Sequence, residues 1–377
     1  MLTVPAGLTI PRDVLTVLTG GSDWLITWWF PTLVALAAGA LLVVGVRLVR
    51  RRRLAGWPMS GAGVVVLLLA LGLGVNSYAG YIPNVAAAQV TLASWGLISP
   101  PTMHHGVAEA SRPTRRHGGV QAIDIPSAPT LRMAHFPSWV YTPPGYKPSS
   151  GLRYPVMYLF HGSPGHAGDW FAAGHVPHTL DTLIGAGLVP PMIVVSVDVN
   201  GTGRSARDTE CLNSTRGGAQ VETYFTRVVV PYVDAHYATR ADRADRGVGG
   251  MSSGAFCAMH LGLRHQDLFS SIAAIGPYGD PGSGGRAMLS TAEEFRACSP
   301  VDYIPTMTIE HVQRVFLDIG GAAGGADTRD AHKMYAELNT RGVPVTLHVE
   351  PGQAHTWRLA DAGLPYALVD LWGSRTT

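Results

Sequence analysis

A serine flanked by two glycines is the feature of this sequence that points most directly to chemistry. Gly250, Ser252 and Gly254 fit the pattern G-x-S-x-G, in which the serine occupies a tight turn between a strand and a helix. A side chain two residues before or after the serine would collide with neighbouring backbone, so both flanking positions call for glycine. The helix after the turn directs the positive end of its dipole at the serine and favours a developing negative charge. We therefore predict that Ser252 is a nucleophile in an elbow that Gly250 and Gly254 allow.

A histidine near the C-terminus has the position that a base for this serine needs. His355 lies in residues 350–357, directly after the last predicted strand. Such a base must form a hydrogen bond to the serine on one side and to a carboxylate on the other. His355 is the only one of the fifteen histidines with this placement, so we predict that it is the base.

The acid that orients His355 should come between the serine and the histidine in the sequence. A loop rich in glycine and alanine follows the predicted strand 315–319 and leads to Asp327, which opens the next predicted helix. Asp327 is our first choice for the acid, Asp330 is the alternative, and Asp318 comes third. Aspartate is also a favourable helix N-cap, so a purely structural role for Asp327 stays open.

A short hydrophobic strand runs into the small-residue loop His161-Gly162-Ser163-Pro164-Gly165. Small residues allow backbone amides to approach a substrate oxygen, and a loop at this position supplies one oxyanion donor in hydrolases with the same elbow. We predict that the backbone N–H groups of Ser163 and Ser253 are the two donors. We expect His161 to be structural, because its position serves the loop rather than the serine.

The elements that must position these residues alternate along the second part of the chain. From about residue 131, short β-rich runs alternate with helical stretches, which is the pattern of an α/β sheet. The predicted strands include 154–160, 192–199, 247–249, 314–319 and 343–349. The predicted helices include 221–237, 253–264 and 327–341. Each candidate catalytic residue thus falls in a loop at the carboxyl end of a predicted strand.

Taken together, these stretches resemble the esterase D and mycolyltransferase branch of the α/β-hydrolases. The matching stretches are His161-Gly162-Ser163 with Asp169-Trp170, the elbow Gly250–Gly254, residues 263–269 behind it, and His355-Thr356-Trp357. The resemblance covers about residue 133 to the C-terminus. It implies an α/β-hydrolase fold, with a mostly parallel central sheet and helices on both faces. It also implies hydrolysis of carboxylic or thiol esters, or transfer of acyl chains onto envelope sugars. The acid loop is unusually rich in glycine and alanine, and no separate signature fixes a sugar acceptor.

Two uncharged apolar runs precede this region. Only 14% of the residues are charged, and the chain has no Asp, Glu, Lys or Arg from Trp24 to Val46 or between Arg53 and Glu109. A helix needs about 20 apolar residues to cross the hydrocarbon core of a bilayer. We predict two transmembrane helices at about 24–46 and 62–82, within an N-terminal membrane region 1–83. Residues 84–130 are expected to be a connector, and residues 131–377 the catalytic domain.

Arginines between the two runs predict the orientation of this hairpin. Short loops rich in arginine stay in the cytoplasm, and here the loop contains Arg47, Arg50, Arg51, Arg52 and Arg53. The catalytic domain is then extracytoplasmic. The first run starts late, lacks a preceding basic stretch and is too long for the apolar region of a signal peptide, so we expect an anchor.

Charge and cysteine usage narrow the remaining possibilities. A net charge of +2 and the lack of a long basic stripe argue against nucleic acid. No pair of residues has metal-ligand spacing with a carboxylate partner, so we expect no metal and no cofactor. An extracytoplasmic domain permits a disulfide, and the three cysteines leave at least one free. Cys211–Cys257 is one pairing, Cys298 offers a rival partner, and three buried thiols are a further alternative.

The sequence therefore predicts a membrane-anchored, extracytoplasmic serine esterase that acts through an acyl-enzyme. An acyltransferase that moves acyl chains onto cell-envelope sugars or lipids is the alternative, and a non-catalytic envelope binding or scaffolding protein is a second one. The expected partners are an ester or acylated lipid or sugar substrate, and membrane lipid. The oligomeric state is not predicted.

Overall fold

A single mixed sheet of eight strands organises the second part of the chain. The computed structural model describes residues 8–21, 23–98, 116–203 and 208–373, with the side chain of Asp327 left out. The strands are β1 (Gly119–Ile123), β2 (Ser138–Thr142), β3 (Val156–Phe160), β4 (Ile193–Val197), β5 (Arg246–Met251), β6 (Ser271–Ile275), β7 (Arg314–Gly320) and β8 (Val345–Glu350).

The strand order is β1-β2-β4-β3-β5-β6-β7-β8. Strand β2 runs antiparallel to both β1 and β4, while β4, β3, β5, β6, β7 and β8 are parallel to their neighbours. Parallel strands put their carboxyl ends at one edge of the sheet, so the loops after β3, β5, β6, β7 and β8 share that edge. The predicted strands are therefore present, and the fold class of a mostly parallel sheet is confirmed.

Fourteen α-helical segments occur in the described part of the chain, several of them a single turn. They are α1 (Arg12–Leu18), α2 (Trp29–Arg50), α3 (Gly56–Ala79), α4 (Val85–Ser94), α5 (Asp169–Ala172), α6 (Val176–Gly185), α7 (Val221–Tyr224), α8 (Val230–His236), α9 (Ser253–Arg264), α10 (Gly282–Met288), α11 (Ala292–Ala297), α12 (Pro300–Tyr303), α13 (Gly325–Thr340) and α14 (Trp357–Trp372). A π-helical turn at Phe225–Val229 joins α7 to α8, so the helix predicted at 221–237 is one continuous rod.

Apolar residues on the two faces of the sheet form two cores. One core includes Phe225, Phe256 and Leu317. Helices α7, α8, α9 and α13 cover this core. The other core includes Trp139 and Trp170 under α6 and α14. Helices therefore cover both faces, as the resemblance implies.

The apolar runs form two long helices whose bounds differ from the predicted ones. Helix α2 begins at Trp29 rather than Trp24, because a 3₁₀ turn at Trp24–Ile26 precedes it. Helix α3 begins at Gly56 and ends at Ala79, since the arginine loop is shorter than the sequence suggests. Both helices are long and apolar enough to span a membrane. Their large apolar side chains, such as Leu36 and Leu68, face outward.

Regular structure also forms within residues 84–130, which we expect to be a connector. Helix α4 lies there, with the side chain of Asn84 capping its N-terminus, and β1 pairs with β2 at the edge of the sheet. Residues 99–115 of this segment lie outside the described residues. The sheet thus begins at Gly119, twelve residues before the predicted domain boundary, and the domain bounds themselves stay predictions.

Candidate active site

Ser252 lies at a sharp turn between β5 and α9. Its backbone has φ +58° and ψ −118°, a conformation that residues with a side chain rarely adopt. The backbone N–H of Ser252 donates to the carbonyl oxygen of Ile275 at 3.0 Å, which fixes the turn against the end of β6. Strain of this kind costs about 1–3 kcal/mol and concentrates at functional sites. The half-buried side chain thereby stands at the carboxyl edge of the sheet.

The two glycines of the elbow have no room for a side chain. A Cβ at Gly250 would lie 2.1 Å from the carbonyl oxygen of Gly254, and a Cβ at Gly254 would lie 2.0 Å from the carbonyl oxygen of Phe160. Both distances are far below van der Waals contact. The sequence argument for glycine at these positions thus has a direct steric basis in the structure.

The loop after β3 approaches Ser252 closely. A Cβ at Gly162 would lie 3.6 Å from the Cβ of Ser252. Ser163 and Ser253 line the same pocket as Ser252, and Ser253 is the first residue of α9, where backbone N–H groups have no partner within the helix. The residues of the two predicted oxyanion donors therefore line the same pocket as Ser252.

His161 is buried beside this loop rather than next to the serine. Its Nδ1 contacts the carbonyl oxygen of Gly162 at 2.8 Å, and its Nε2 accepts from the backbone N–H of Val199 at 3.2 Å. This pattern assigns the proton to Nδ1 and ties the loop after β3 to the end of β4.

His355 lies at the same edge of the sheet. Gly276 is the residue after Ile275, to which Ser252 is hydrogen-bonded, and a Cβ at Gly276 would lie 3.0 Å from Cε1 of the His355 ring. Gly276 has φ +64°, which glycine adopts without strain. His355 is therefore next to Gly276, the residue after the hydrogen-bond partner of Ser252.

The three acid candidates differ in their surroundings. Asp330 accepts a hydrogen bond from the backbone N–H of Gly279 at 2.9 Å. Asp318 lies inside β7 and is fully buried, with its side chain hydrogen-bonded to His348. Asp327 lies in the first turn of α13, whose N-cap is Gly324 rather than Asp327. Its side chain is outside the described residues, so its role stays a prediction.

Two motifs of the resemblance contact each other behind the site. The indole rings of Trp170 and Trp357 pack edge to face with centroids 5.2 Å apart. Trp170 also donates to the carbonyl oxygen of Phe160 at 2.8 Å, the oxygen that approaches Gly254. The loop after β3, the elbow and the histidine loop are therefore packed on one another.

A buried glutamate beside Ser252 was missed by the sequence interpretation. Glu210 accepts hydrogen bonds from the Tyr278 hydroxyl at 2.6 Å and from the Ser253 hydroxyl at 3.3 Å. Burial raises the pKa of Glu210 well above its ordinary value, and nearby Asp208 raises it further, against the lowering effect of Tyr278. With Ser252, these residues line a pocket of about 300 Å³.

A disulfide holds this glutamate in place. Cys211 is bonded to Cys257 in α9, and Cys298 is a free thiol. Glu210 and Cys211 have φ of +48° and +52°. The first of the pairings considered from the sequence is therefore present, and it ties the Glu210 segment to the helix that follows Ser252.

One cluster of possible metal ligands occurs among the described residues. Asp318, His348 and Glu350 offer ligand atoms within 4.8 Å of one another on β7 and β8. The Nδ1 of His348 is already hydrogen-bonded to Asp318 at 2.9 Å. The structure therefore supports a buried hydrogen-bonded cluster at this place, behind the loop that carries His355.

The ends of the apolar helices contact both loops of the site. Tyr81 donates to Asp169, whose other oxygen accepts from the backbone N–H of His166 in the loop after β3. His175 lies between the carboxylates of Asp23 and Asp361, at 3.5 and 2.9 Å. A cavity of about 1240 Å³ lies at this junction and is separate from the pocket at Ser252.

Comparisons with known proteins agree with this geometry. The model of a family described as "Putative esterase" matches residues 135–358, more than half of the chain. An uncharacterised protein of Corynebacterium glutamicum is 26% identical over 238 residues, which are 59% of this chain and 54% of that protein. An endo-1,4-beta-xylanase/feruloyl esterase of Xylanibacter ruminicola is 29% identical over 255 residues, 66% of this chain and 31% of that protein. The chain thus spans about half the length of the first relative and about a third of the length of the second.

Solved structures share the fold at low sequence identity. A ferulic acid esterase superposes with a TM-score of 0.59 and 24% identity, over 68% of this chain and 98% of its own. An S-formylglutathione hydrolase from Agrobacterium tumefaciens gives a TM-score of 0.58 and 17% identity, over 70% and 99%. MPT51 of Mycobacterium tuberculosis gives a TM-score of 0.52 and 15% identity, over 67% of this chain and 97% of its own. These similarities establish the α/β-hydrolase fold.

Proposed function

The chain belongs to this esterase family and has its α/β-hydrolase fold, and on that premise we propose that it is a membrane-anchored serine esterase with an extracytoplasmic catalytic domain. Its nucleophile is Ser252, its base is His355 and its acid is Asp327. The observation that carries the proposal is the strained backbone of Ser252 at the strand-to-helix turn. This backbone conformation exposes the serine hydroxyl as a nucleophile must be exposed. A serine with a purely structural role would not require such a strained backbone.

The mechanism follows from the arrangement around this turn. His355 takes the proton of the Ser252 hydroxyl as its oxygen attacks the ester carbonyl. The backbone N–H groups of Ser163 and Ser253 stabilise the negative charge on the carbonyl oxygen. The same proton then passes from His355 to the departing alcohol or thiol, which leaves an ester on Ser252. Water, activated by His355, attacks that ester and releases the acid.

The acid in this mechanism holds His355 in the correct tautomer. Asp327 is the choice because Asp330 already accepts from the backbone of Gly279, and Asp318 lies inside β7 with His348. An aspartate in the first turn of α13 follows β7 at the edge where His355 lies.

Membrane anchoring is supported by the exposed apolar surfaces of α2 and α3 and by the arginines between them. The Cys211–Cys257 disulfide favours an oxidising compartment for the catalytic domain. Contacts from Tyr81 to Asp169 hold the anchor against the domain.

Steady-state hydrolysis of p-nitrophenyl acetate by the full chain in detergent tests the catalytic assignment. Ser252→Ala and His355→Ala should each lower kcat by roughly 10⁴-fold or more. Ser149→Ala and His311→Ala are matched controls, since both side chains are exposed and distant in sequence from the elbow and the histidine loop. Full activity of Ser252→Ala would refute the proposal.

The acid is tested in the same assay. Asp327→Asn should lower kcat by about 10⁴-fold, the effect of a wrong tautomer of the base, and Asp330→Asn should have a much smaller effect. The reverse order would move the assignment to Asp330. Product analysis with added sugar alcohols separates hydrolysis from acyl transfer, because an esterase releases free acid whether or not an acceptor is present.

A further inference from the structure

The pocket beside Ser252 has a polar lining. The described residues that surround it are Ser163, Asp208, Glu210, Ser252, Ser253, Tyr278, Gly282 and Ser283. Every side chain among them carries a hydroxyl or a carboxyl group. Its volume of about 300 Å³ is at the lower end of the range of small-molecule sites. The pocket therefore suits a small polar group rather than a long apolar chain.

Glu210 is the central residue of this lining. Only 3% of its surface is exposed, yet it reaches the pocket between Tyr278 and Ser253. The left-handed backbone at Glu210 and Cys211 is uncommon for residues with a side chain, and the disulfide to α9 fixes this segment. A buried carboxyl group held in a strained segment is costly. Such a cost is accepted where the group has a role in binding or catalysis.

The hydrogen-bond partners of Glu210 determine what it can bind. Its carboxyl oxygens accept from the hydroxyls of Tyr278 and Ser253, and Asp208 lines the same pocket. Burial raises the pKa of Glu210 well above its usual range, and the neighbouring Asp208 acts in the same direction. Burial and the Glu210 carboxyl also raise the pKa of Tyr278. The pocket therefore presents carboxyl and hydroxyl groups that can form hydrogen bonds with substrate hydroxyls.

We propose that Glu210, Tyr278, Asp208 and Ser283 form a specificity subsite that binds an uncharged, hydroxyl-bearing alcohol group of the ester substrate. This rests on the proposed function, with Ser252 as nucleophile. The subsite pairs substrate hydroxyls with donors and acceptors that an alkyl group would leave unpaired. A site built to hydrogen-bond discriminates strongly against an analogue without the group, because its own buried polar atoms lose their partners. The carboxyl groups of Asp208 and Glu210 disfavour an anionic group there.

Two substrates with the same acyl group test this assignment. Methyl 6-O-acetyl-glucoside carries hydroxyls next to the ester, and hexyl acetate carries an alkyl chain of similar length. We expect the wild-type chain in detergent to have a kcat/KM at least tenfold higher for the sugar ester. Glu210→Gln, which keeps a hydrogen-bonding group of the same size, should hold that ratio within about threefold. Glu210→Leu should lower it by about tenfold or more, the size of one lost buried hydrogen-bonding partner.

Labelling of Ser252 with a fluorophosphonate probe shows whether each variant is folded and active, because the probe has no sugar group. A labelled Glu210→Leu with the wild-type ratio would overturn the subsite. Should Glu210→Leu fail to label, Tyr278→Phe and Ser283→Ala decide in its place, and an unchanged ratio in both would overturn it. A wild-type chain that hydrolyses neither ester and is not labelled refutes the proposed function itself, which is a distinct result.

Discussion

The guanidinium of Arg358 binds the carbonyl oxygen of Ser77, with Nε at 2.9 Å and Nη2 at 2.7 Å. Ser77 lies in the last turn of α3, and Arg358 lies three residues after His355 in the first turn of α14. Nη2 also donates to the carbonyl oxygen of Ile26 at 2.6 Å. The end of the apolar hairpin thus holds the residue next to the histidine loop, so the N-terminal region is part of the framework of the site.

Replacing Arg358 should therefore affect both stability and catalysis. Arg358→Gln removes charged hydrogen bonds to half-buried carbonyls and should lower the free energy of unfolding by about 2 kcal/mol. It should also lower kcat by roughly tenfold, since a small shift of His355 misaligns the base. Thermal unfolding and ester hydrolysis of the full chain measure the two effects.

Arg341 provides the control for this prediction. It also donates to backbone carbonyls, those of Ile304 and Met307, but at the C-terminal end of α13. Arg341→Gln should lower stability to a similar extent and leave kcat unchanged. Equal kcat in the two variants would show that the hairpin does not position His355.

The strain at Ser252 predicts an unusual order of stability between two inactive variants. Glycine adopts φ +58° without the steric cost that alanine bears. Ser252→Gly should therefore be more stable than Ser252→Ala by about 1 kcal/mol. Thermal unfolding of both proteins measures this. Ser149 is a matched position outside the elbow and has no positive φ. There, the glycine variant should be less stable than the alanine variant. If the glycine variant were the more stable one at both positions, stored strain at Ser252 would be excluded.

The buried cluster on β7 and β8 predicts how stability depends on pH. Burial raises the pKa of Asp318 to about 7 from 3.8. Burial alone would lower the pKa of His348, but the carboxylates of Asp318 and Glu350 raise it, and burial raises the pKa of Glu350. All three groups thus hold their protons more tightly in the folded state. The stability contributed by Asp318 is fully present below about pH 4 and is lost as the pH rises to about 7.

Replacement of Asp318 tests this sign. Asp318→Asn removes the titration and keeps the shape, so its melting temperature should rise relative to that of the wild type between pH 4 and pH 7. Asp267→Asn is the control, because Asp267 is exposed and should leave the difference constant. A difference for Asp318→Asn that is independent of pH would contradict the prediction.

The proposed orientation in the membrane predicts which positions are accessible from outside the cell. Ser149 is exposed on the catalytic domain, and Arg52 is exposed in the loop between α2 and α3. In a Cys298→Ser background, a membrane-impermeant thiol reagent should label Ser149→Cys in intact cells. It should label Arg52→Cys only after permeabilisation. The opposite pattern would place the catalytic domain in the cytoplasm.

Local patterns in the sequence were sufficient to predict the framework of the site. Ser252 and its two glycines stand within five residues of one another, so one short pattern identifies them, although the atom that excludes a side chain at Gly254 belongs to Phe160 in β3. Helix α9 has the predicted bounds, because its apolar positions and the glycine turn before it are local signals. The α/β fold class followed from the alternation of strands with helices.

Contacts between distant segments could not be predicted in this way. Glu210 meets Tyr278 across 68 residues, and Tyr81 meets Asp169 across 88. No periodicity marks such pairs, since each depends on how the sheet brings its loops together. Strand β1 was missed because an edge strand of five residues, three of them partly exposed, has a weak hydrophobic pattern.

Chemical labelling tests whether Ser252 is the nucleophile. The full chain in detergent is treated with a fluorophosphonate probe, digested and mapped by mass spectrometry. We predict one adduct, on the peptide that contains Ser252, with its formation abolished in Ser252→Ala and slowed at least 100-fold in His355→Ala, since the serine then lacks its base. A folded wild-type protein that forms no adduct, or an adduct on a different serine, would contradict the account.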